Sequence, residues 1–437
     1  MLSFWELIYY KYFMRDELQF FTVKVANGSG CLFQPLNSEY SYVLTAKHVI
    51  ENVENIEIIR QWIQEDGIKV ENQFEMLDTP YLHSSPDKDA AIIKVNKIDG
   101  IESLLRSDLN SVEKENWYLC GHPDSRENND FSFRKNKLKI ENPVELYIEG
   151  EIERNVNHSE IVGQSGGGII RSEGSCFLLA GIQKKMAVED ENETLSRIHF
   201  APLSFFDEIV EENSENLSPL FPPYIGAFNI LLQEIFPFPN LLVKQELVRN
   251  TLVSISENIC QGTNPDKIIK EYGQKFLVYG TPEHIIYHKS LWKSLLEFLT
   301  IIKLYDETTD IDDFTNVHKK RKMLIVDTNN WTKKLEEIYK SDLSEIEKGG
   351  SIVICATNEL VPSITEISTE ELRVIPDIST PLDEMNISNT VEDPFNDLKL
   401  VNIFKFQHHI INNIMQLANI NGVNSKTTIK ELTDGVI

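Results

Sequence analysis

The chain has 437 residues, 41% of them hydrophobic and 25% charged, which is typical of a globular protein with room for about three domains. Its 68 acidic and 42 basic residues give a net charge of −26. This balance argues against a nucleic-acid-binding surface, because phosphate contacts need a basic face, and we attribute the acidity to solubility.

The amino terminus and the cysteines bear on cellular location. Residues 1–17 predict a short amphipathic helical segment and not a signal peptide, because Glu6, Lys11 and Arg15 interrupt the apolar run. No stretch approaches the ~20 apolar residues of a membrane span. The five cysteines are widely spaced and form no C-x-x-C pair, which indicates a reduced protein. We therefore expect a cytoplasmic protein without membrane contact.

Short β-rich runs separated by turn residues make up the first half of the chain. They occupy residues 18–60, 68–96, 117–121, 133–150 and 176–202. This texture is typical of a pair of β-barrels, and it predicts an all-β domain over residues 18–212. The polar and then proline-rich stretch 213–223 is expected to be a linker.

Three segments within these runs carry side chains with catalytic chemistry. The apolar run Tyr42–Ala46 is followed by His48, and Asp89 enters the buried run Ala90–Val95. A carboxylate at such a place is costly unless a donor satisfies it, and an imidazole N–H is a suitable donor. The third segment, Gly163–Gly168, sets Ser165 among glycines, where backbone N–H groups can converge on one point.

Alternatives exist for two of these roles. Asp87 is a second candidate for the acid, and Asp89 is preferred because it adjoins the buried strand. His158 precedes Ser165 closely and is a rival base, although its polar surroundings favour a solvated loop histidine. A plain glycine turn would also explain the third segment if it stood alone.

The chain order His48, Asp89, Ser165 is that of the chymotrypsin-type triad and differs from the order in subtilisins and α/β-hydrolases. Thr45–His48 resembles the T-A-x-H box of trypsin-like peptidases, Asp89–Lys94 their D-I-A-L-L-K strand and Gly163–Gly168 their G-x-S-G-G box. Three more segments are similar to strands of HtrA-like members of that family: Asn27–Phe33, Tyr118–Pro123 and Leu178–Ile182. The resemblance covers roughly residues 18 to 210.

The resemblance implies a serine endopeptidase that needs no cofactor or metal. Ser165 would be the nucleophile, His48 the general base and Asp89 the residue that orients it, with the N–H groups of Gly163 and Ser165 as the oxyanion hole. The resemblance also implies a set of residues that contact a protein or peptide substrate, namely Ser159 at the base of the primary pocket and Gln183, Lys184 and Lys185 along an edge strand.

Gln164 departs from the trypsin-like pattern. Zymogens of that family have an aspartate at this position, which pairs with a new amino terminus after cleavage. An uncharged glutamine cannot form this ion pair, so activation by clipping is not expected. Control should then come from another part of the chain or from a partner protein.

The second half of the chain, residues 224–437, has a different pattern. Apolar residues at helical spacing alternate with two buried strands, which predicts an α/β domain. The predicted helices are 224–236, 241–259, 282–304, 331–340 and a final long one over 395–420, and the predicted strands are 322–327 and 351–355.

Four polar features of this half have simple interpretations. His284 and His288 lie four apart on a predicted helix and are expected at the surface, although such a pair can bind a metal. The basic run 318–322 predicts a solvated turn before a strand. Residues 327–329 and 356–358 follow strands, where either helix caps or a ligand site would fit, and caps are favoured.

The overall layout resembles effectors of bacterial conflict and anti-phage systems, some of which belong to the ABC-three-component type and act with a partner ATPase. This resemblance implies that the C-terminal domain gates the peptidase or recruits a regulatory protein. The chain contains no GxxxxGK[ST] motif, so any ATPase would be another chain. The alternatives are an inactive peptidase fold that acts as a binding scaffold, and an acyl hydrolase using the same three residues.

Overall fold

The computed structural model of the protein forms two compact units, Met1–Pro223 and Tyr224–Ile437. The structure describes residues 17–63, 68–107, 114–126, 131–153, 156, 158–174, 176–189, 192–238, 243–309, 313–343, 345–347, 349–357, 362, 364–368, 371 and 398–436. The helical segment predicted for residues 1–17 lies outside these ranges except for Glu17, which begins a short 3-10 helix.

The first unit begins with a seven-stranded antiparallel sheet of order β5-β4-β1-β2-β3-β7-β6. An antiparallel bridge between Met76 and Val95 joins the segment after β5 to β7 and closes the sheet into a barrel. Its strands are β1 Thr22–Val25, β2 Gly28–Phe33, β3 Tyr40–Thr45, β4 Ile58–Ile63, β5 Lys69–Phe74, β6 Tyr81–Leu82 and β7 Ala91–Asn96.

A second seven-stranded sheet completes this unit. Six antiparallel strands form a closed ring, β12-β9-β10-β11-β14-β13, in which β13 pairs back to β12, and β8 adds to β13 in parallel. The strands are β8 Leu104–Arg106, β9 Trp117–Gly121, β10 Arg134–Val144, β11 Tyr147–Ile152, β12 Gly168–Glu173, β13 Cys176–Glu189 and β14 Asn192–Pro202. The predicted double β-barrel is therefore confirmed.

Helices in the first unit are few and short. They are α1 Lys47–Ile50, α2 His158–Ile161 and α3 Leu203–Glu212, with 3-10 turns at Glu17–Phe21 and Asp124–Arg126. Helix α3 is amphipathic and buries one apolar face, made of Leu203, Phe205, Phe206, Ile209 and Val210.

The second unit is an α/β layer, as predicted. Strands β15, β16 and β18 are parallel and β17 is antiparallel to β18, in the order β15-β16-β18-β17. Their bounds are β15 Arg321–Val326, β16 Ser351–Ala356, β17 Glu366–Ile367 and β18 Lys399–Asn402. None of the helices in the described residues is long and apolar enough to cross a membrane.

The helices around this sheet vary from one turn to five. They are α4 Pro223–Gly226, α5 Val243–Gly262, α6 Pro265–Tyr272, α7 Lys289–Tyr305, α8 Phe314–Lys320, α9 Leu335–Lys340, α10 Phe404–Asn412 and α11 Ser425–Thr433. The 3-10 helices of this unit are Phe228–Leu231, Gly273–Phe276, Glu283–Tyr287, Trp331–Lys334 and Ile414–Asn419.

The predicted long final helix over 395–420 is wrong. Residues 399–402 form β18, which pairs in parallel with β16, and helix α10 begins only at Phe404. A short apolar run fits a buried strand as well as a buried helix, and pairing with the sheet decides between them. The first residues of the predicted helix, 395–397, lie outside the described ranges.

The predictions of surface histidines and a solvated basic turn are also wrong. His284 and His288 are both buried, and His288 caps α7 by accepting the N–H of Ser290. His318 is buried on α8 among aromatic rings, including that of Tyr272 with its centroid 4.3 Å away. Neighbours distant in sequence supply this apolar surrounding, so local polarity is misleading here.

Asp327 and Thr357, which follow β15 and β16, contact one another. The Thr357 hydroxyl donates to Oδ1 of Asp327 at 2.7 Å, so each strand end satisfies a polar group of the other. The prediction that both segments are helix caps is therefore wrong for these two residues.

Burial of His318 has a consequence for acid stability. Desolvation lowers the pKa of His318 from 6.5 to about 3, with help from the charges of Lys322 and Lys275. In the unfolded chain His318 binds a proton near pH 6.5, whereas in the folded chain it stays uncharged until a much lower pH. The free energy of unfolding therefore falls as the pH drops from 6.5 towards 3. We expect His318→Phe to reduce the slope of stability against pH by up to about 1.4 kcal/mol per pH unit.

Hydrogen-exchange protection of β15, measured in the full chain between pH 6.5 and 4, checks this expectation. His408→Phe is the control, because the ring of His408 is only partly buried. An equal slope in wild type and His318→Phe would contradict the assignment of the buried, uncharged histidine.

Candidate active site

The register of two strands brings His48 and Asp89 together. Strands β3 and β7 are antiparallel, and Thr45 at the end of β3 is paired with Ala91 at the start of β7. The chain turns into α1 directly after β3, and Asp89 lies two residues before the first residue of β7, Ala91. Two residues 41 positions apart in sequence therefore meet at one edge of the first barrel.

The Asp89 carboxylate accepts two hydrogen bonds from His48. Nδ1 of the imidazole is 2.7 Å from Oδ2, and the backbone N–H of His48 donates to Oδ1 at 3.0 Å. An ionised carboxylate only accepts, so Nδ1 carries the proton and Nε2 of the neutral ring is free to act as a base. The side chain of Asp89 is 12% exposed and that of His48 is 49% exposed, so the imidazole is accessible while the carboxylate is nearly buried.

The pKa of Asp89 reflects two opposing effects. Burial raises it, while the hydrogen bonds and charge of His48, together with the positive charge of Lys184, lower it. The result is a pKa below the ordinary carboxyl value, so Asp89 is ionised at neutral pH. A fixed negative charge beside Nδ1 stabilises an imidazolium form of His48.

Tyr147 fixes the backbone around Asp89, and no sequence motif pointed to this role. Its hydroxyl accepts the N–H of Asp89 at 3.0 Å and donates to the carbonyl of Asp87. The ammonium of Lys184 lies 3.7 Å from the centre of the Tyr147 ring, a cation–π contact. Asp87 thus enters the site through its carbonyl, and Asp89 is the aspartate bonded to His48.

Ser29 connects the first barrel to the Ser165 loop, a role that sequence reasoning missed. This fully buried residue of β2 donates its N–H to the carbonyl of Ser165 at 2.7 Å and its hydroxyl to the carbonyl of Gly163 at 2.7 Å. The same hydroxyl accepts the N–H of His122 at 2.8 Å. Ser29 lies in the segment Asn27–Phe33, which resembles a strand of HtrA-like peptidases, but only the fold reveals the hydrogen-bond partners of Ser29.

Glycine is required at two places in the Ser165 loop. Gly163 has a φ of +88° and Gly166 a φ of +87°, which other residues rarely adopt. A Cβ on Gly166 would lie 2.0 Å from the carbonyl oxygen of Ser29 and 2.2 Å from Oγ1 of Thr45. The loop is therefore pressed against the first barrel by close backbone approach.

The loop is also joined to β13. The N–H of Gly166 donates to the carbonyl of Gln183 at 2.8 Å, and the N–H of Gln183 donates to the carbonyl of Gly167 at 2.8 Å. The Gln164 side chain is fully buried and accepts a hydrogen bond from Asn136 at 3.2 Å, so this position holds an uncharged amide that is bonded within the fold.

Ser165 lies beside the His48 segment. A Cβ on Gly28 would be 2.8 Å from the carbonyl oxygen of Ser165 and 2.9 Å from the γ-carbons of Val49, the residue after His48. The Ser165 hydroxyl donates to the carbonyl of Lys184 at 3.0 Å. Within the described residues no hydrogen bond joins this hydroxyl to His48, so the acid and base are paired while the serine points to β13.

The other predicted substrate-contacting residues differ in accessibility. The Gln183 side chain is fully buried, Lys184 is partly exposed and Lys185 is exposed. Ser159 and His158 belong to helix α2, but their side chains lie outside what the structure describes. Their predicted roles, in a specificity pocket and as a rival base, stay predictions.

Two family models match this chain. Residues 28–178 match the trypsin-like peptidase domain, and residues 200–412 match C-terminal domain 4 of the ABC-three-component (ABC-3C) systems. The chain joins a trypsin-like peptidase domain to an ABC-3C C-terminal domain. Both resemblances inferred from the sequence are therefore confirmed.

One similar solved structure is the HtrA-type protease AlgW with a decapeptide. It is 18% identical in sequence with a TM-score of 0.30, and the match covers 43% of this chain and 52% of that chain. The matched part of this chain thus spans about half the length of that structure. A comparison with curated proteins finds no match.

The close packing of Gly166 allows a sharp test of the loop. We expect Gly166→Ala to destabilise the first unit by about 3 kcal/mol or more, because the methyl group adds overlap with Ser29 and Thr45 to the strain of a positive φ. Urea unfolding of the full chain would measure this.

Gly100→Ala is the matched control. Gly100 has a similar φ of +84° but nothing lies within 4 Å of its missing Cβ, so only the left-handed strain of about 1 kcal/mol applies. Equal destabilisation by the two variants would show that steric overlap at the Ser165 loop is unimportant.

The lowered pKa of Asp89 predicts how its contribution varies with pH. The ionised carboxylate stabilises the folded state above the ordinary value of 3.8, and this contribution is lost as the pH falls through the lower folded-state value. We expect the stability difference between wild type and Asp89→Asn to shrink over that acid range.

Chemical denaturation at a series of pH values from 6 to 3 measures this difference. Asp99→Asn serves as the control, because the Asp99 side chain is 88% exposed and its charge contributes much less to the stability of the folded state. A difference for Asp89→Asn that does not change with pH would be inconsistent with an ionised, His48-bonded carboxylate.

Proposed function

We propose that this chain is a serine endopeptidase in which Ser165 is the nucleophile and His48 the general base. Asp89 orients the His48 ring and stabilises its positive charge. The observation that carries the proposal is the two-point hydrogen bonding of Asp89 to His48, at 2.7 and 3.0 Å, beside a serine held in a glycine loop. The match to the trypsin-like peptidase domain supports it independently.

The reaction would proceed by acyl transfer. The Ser165 hydroxyl attacks a peptide carbonyl while Nε2 of His48 takes its proton, and the ionised Asp89 stabilises the resulting imidazolium. The oxyanion is held by the N–H groups of Gly163 and Ser165. His48 then returns the proton to the leaving amine, and water, activated by the same base, hydrolyses the acyl-enzyme.

A protein or peptide substrate is proposed to lie along β13 at residues 183–185, with Ser159 at the base of the primary pocket. The Ser165 hydroxyl must leave the Lys184 carbonyl before it can donate to His48, and this supports a latent resting state. Apo active sites commonly tighten only when the substrate binds.

Control by other components is part of the proposal. The ABC-3C C-terminal domain supports a protein that works with partners, and we propose that a partner, an ATPase of the same system, triggers proteolysis in an anti-phage response. The protease would act in the cytoplasm, where its five free cysteines stay reduced.

A serine-directed fluorophosphonate probe tests the proposal. We expect covalent labelling of the full chain, in the presence of the other components of its system, and loss of labelling in Ser165→Ala because the attacking oxygen is gone. Asp89→Asn should reduce the labelling rate by about 10⁴-fold, because the base would lose its orientation and charge partner. Ser172→Ala, at an exposed serine on β12, should label like wild type.

Labelling that is absent in wild type under every activating condition, or unchanged in Ser165→Ala, would end the enzyme proposal. The first outcome would favour a binding scaffold with an inactive peptidase fold. Comparing matched peptide and ester substrates separates an endopeptidase from an esterase, since hydrolysis of esters alone would contradict the assignment of peptide bonds as the target.

A further inference from the structure

The segment that precedes Asp89 is fastened to helix α3. Nε2 of His83 is 2.9 Å from Oε2 of Glu208, and the ammonium of Lys88 donates to Oε1 of the same carboxylate at 2.6 Å. A third bond, at 2.7 Å, runs from the hydroxyl of Ser84 to Glu212. The Glu208 carboxylate thus bonds to His83 and to Lys88, the two ends of the short segment that leads to Asp89.

His83 is the centre of this attachment. It is buried, and its Nδ1 accepts the N–H of Ser85 at 3.0 Å, so the neutral ring carries its proton on Nε2 and donates to Glu208. Its backbone N–H donates to the carbonyl of Ala90 at 3.0 Å, and its carbonyl accepts from Lys47 at 3.3 Å. His83 therefore contacts the neighbours of both Asp89 and His48.

Helix α3 is a firm support for these contacts. Arg106 of β8 holds Asp207 through two parallel hydrogen bonds of 2.9 and 2.7 Å. The buried Phe205 ring of the same helix lies 5.9 Å from the His83 ring and 5.6 Å from the Tyr147 ring. The segment before Asp89 is consequently held between a fixed helix and the tyrosine that bonds the Asp89 backbone.

We propose that Glu208 is a positioning residue, which sets the place of Asp89, and through it of His48, by anchoring His83 and Lys88 to helix α3. This inference rests on the proposed peptidase function. Glu208 itself touches neither the reacting serine nor its base. Helix α3 lies within the stretch that matches the ABC-3C domain, residues 200–412.

The two contacts of Glu208, with Lys88 and with His83, differ in how much their loss would cost. The Glu208 side chain is 41% exposed, so its ion pair with Lys88 by itself contributes little. Removing the carboxylate also leaves the buried Nε2–H of His83 without its acceptor, which is the costly outcome. We therefore expect truncation at Glu208 to act mainly by displacing His83 and the segment next to it.

The experiment compares Glu208→Ala, Glu208→Gln and Glu211→Gln in the full chain. Two quantities are measured: the far-downfield proton resonance of the His48 Nδ1–H, which reports the bond to Asp89 without any turnover, and the rate of fluorophosphonate labelling at Ser165. Asp89→Asn identifies the resonance by its loss.

Glu208→Ala should broaden or abolish the resonance and slow labelling roughly 10-fold, as expected when a catalytic group is slightly misplaced. Glu208→Gln keeps an acceptor for His83 and should recover most of both signals. Glu211→Gln, at an exposed site of the same helix, should match wild type. If Glu208→Ala fails to fold, Lys88→Met removes a contact from the other side and should weaken both signals in the same direction.

An unchanged resonance in both Glu208→Ala and Lys88→Met would overturn the positioning role, and so would slower labelling with a resonance like that of wild type. Failure of the peptidase proposal is distinguishable. In that case Ser165 is not labelled even in wild type, while the resonance still depends on Glu208.

Discussion

A buried carboxylate is the constraint around which the first unit is organised. Asp89 is ionised and almost enclosed, and a charge in such a place must be paired and hydrogen-bonded to be tolerated. Both donors come from one residue, His48, through its ring and its backbone. That arrangement is available only because Thr45 and Ala91 are in register across β3 and β7. The geometry of the base is thus a consequence of strand pairing.

The serine is held by a different device, backbone contact across the two barrels. Ser29 has no exposed surface, yet its N–H, hydroxyl and carbonyl are all satisfied, the last by the hydroxyl of Thr45 at 2.8 Å. These bonds reach the Gly163 and Ser165 carbonyls on one side and the end of β3 on the other. Glycine at position 166 permits this close approach. As a result, Ser165 and His48 are both positioned by the same strand ends of the first barrel.

Much of this site could be predicted because its parts are local. A strand that ends before His48, a carboxylate at the start of a buried strand and a serine among glycines can each be recognised within ten residues of sequence. Tyr147 and Glu208 could not be predicted, since their partners lie 58 and 125 residues away and any tyrosine or glutamate would look alike in sequence.

In the second unit, contacts between residues distant in sequence limit prediction from the sequence even more. The chain around His318 is basic, and the aromatic rings that bury it come from two separate segments, one with Tyr272 and Phe276 and the other with Phe298. Strand β18 is four residues long, and its identity depends on pairing with β16. Periodicity indicated an α/β domain correctly, because the strands β15 and β16 are continuous apolar runs. It could not assign short elements whose stability comes from the sheet itself.

In the proposed peptidase, a silent resting state could not depend on the Ser165 hydroxyl alone. Turning from the Lys184 carbonyl to Nε2 of His48 exchanges one hydrogen bond for another, and a net difference of about 1 kcal/mol suppresses activity less than 10-fold. A substrate that binds the active arrangement would easily overcome so small a bias. Stronger suppression requires a second displacement that disables the base itself. The contacts of Glu208 with His83 and Lys88 provide a place for it, because their loss would release the segment that leads to Asp89 without touching the serine. In the proposed mechanism, two weak constraints acting separately on Ser165 and on Asp89 would multiply, and the segment before Asp89 would then be a more effective point of control than Ser165 itself.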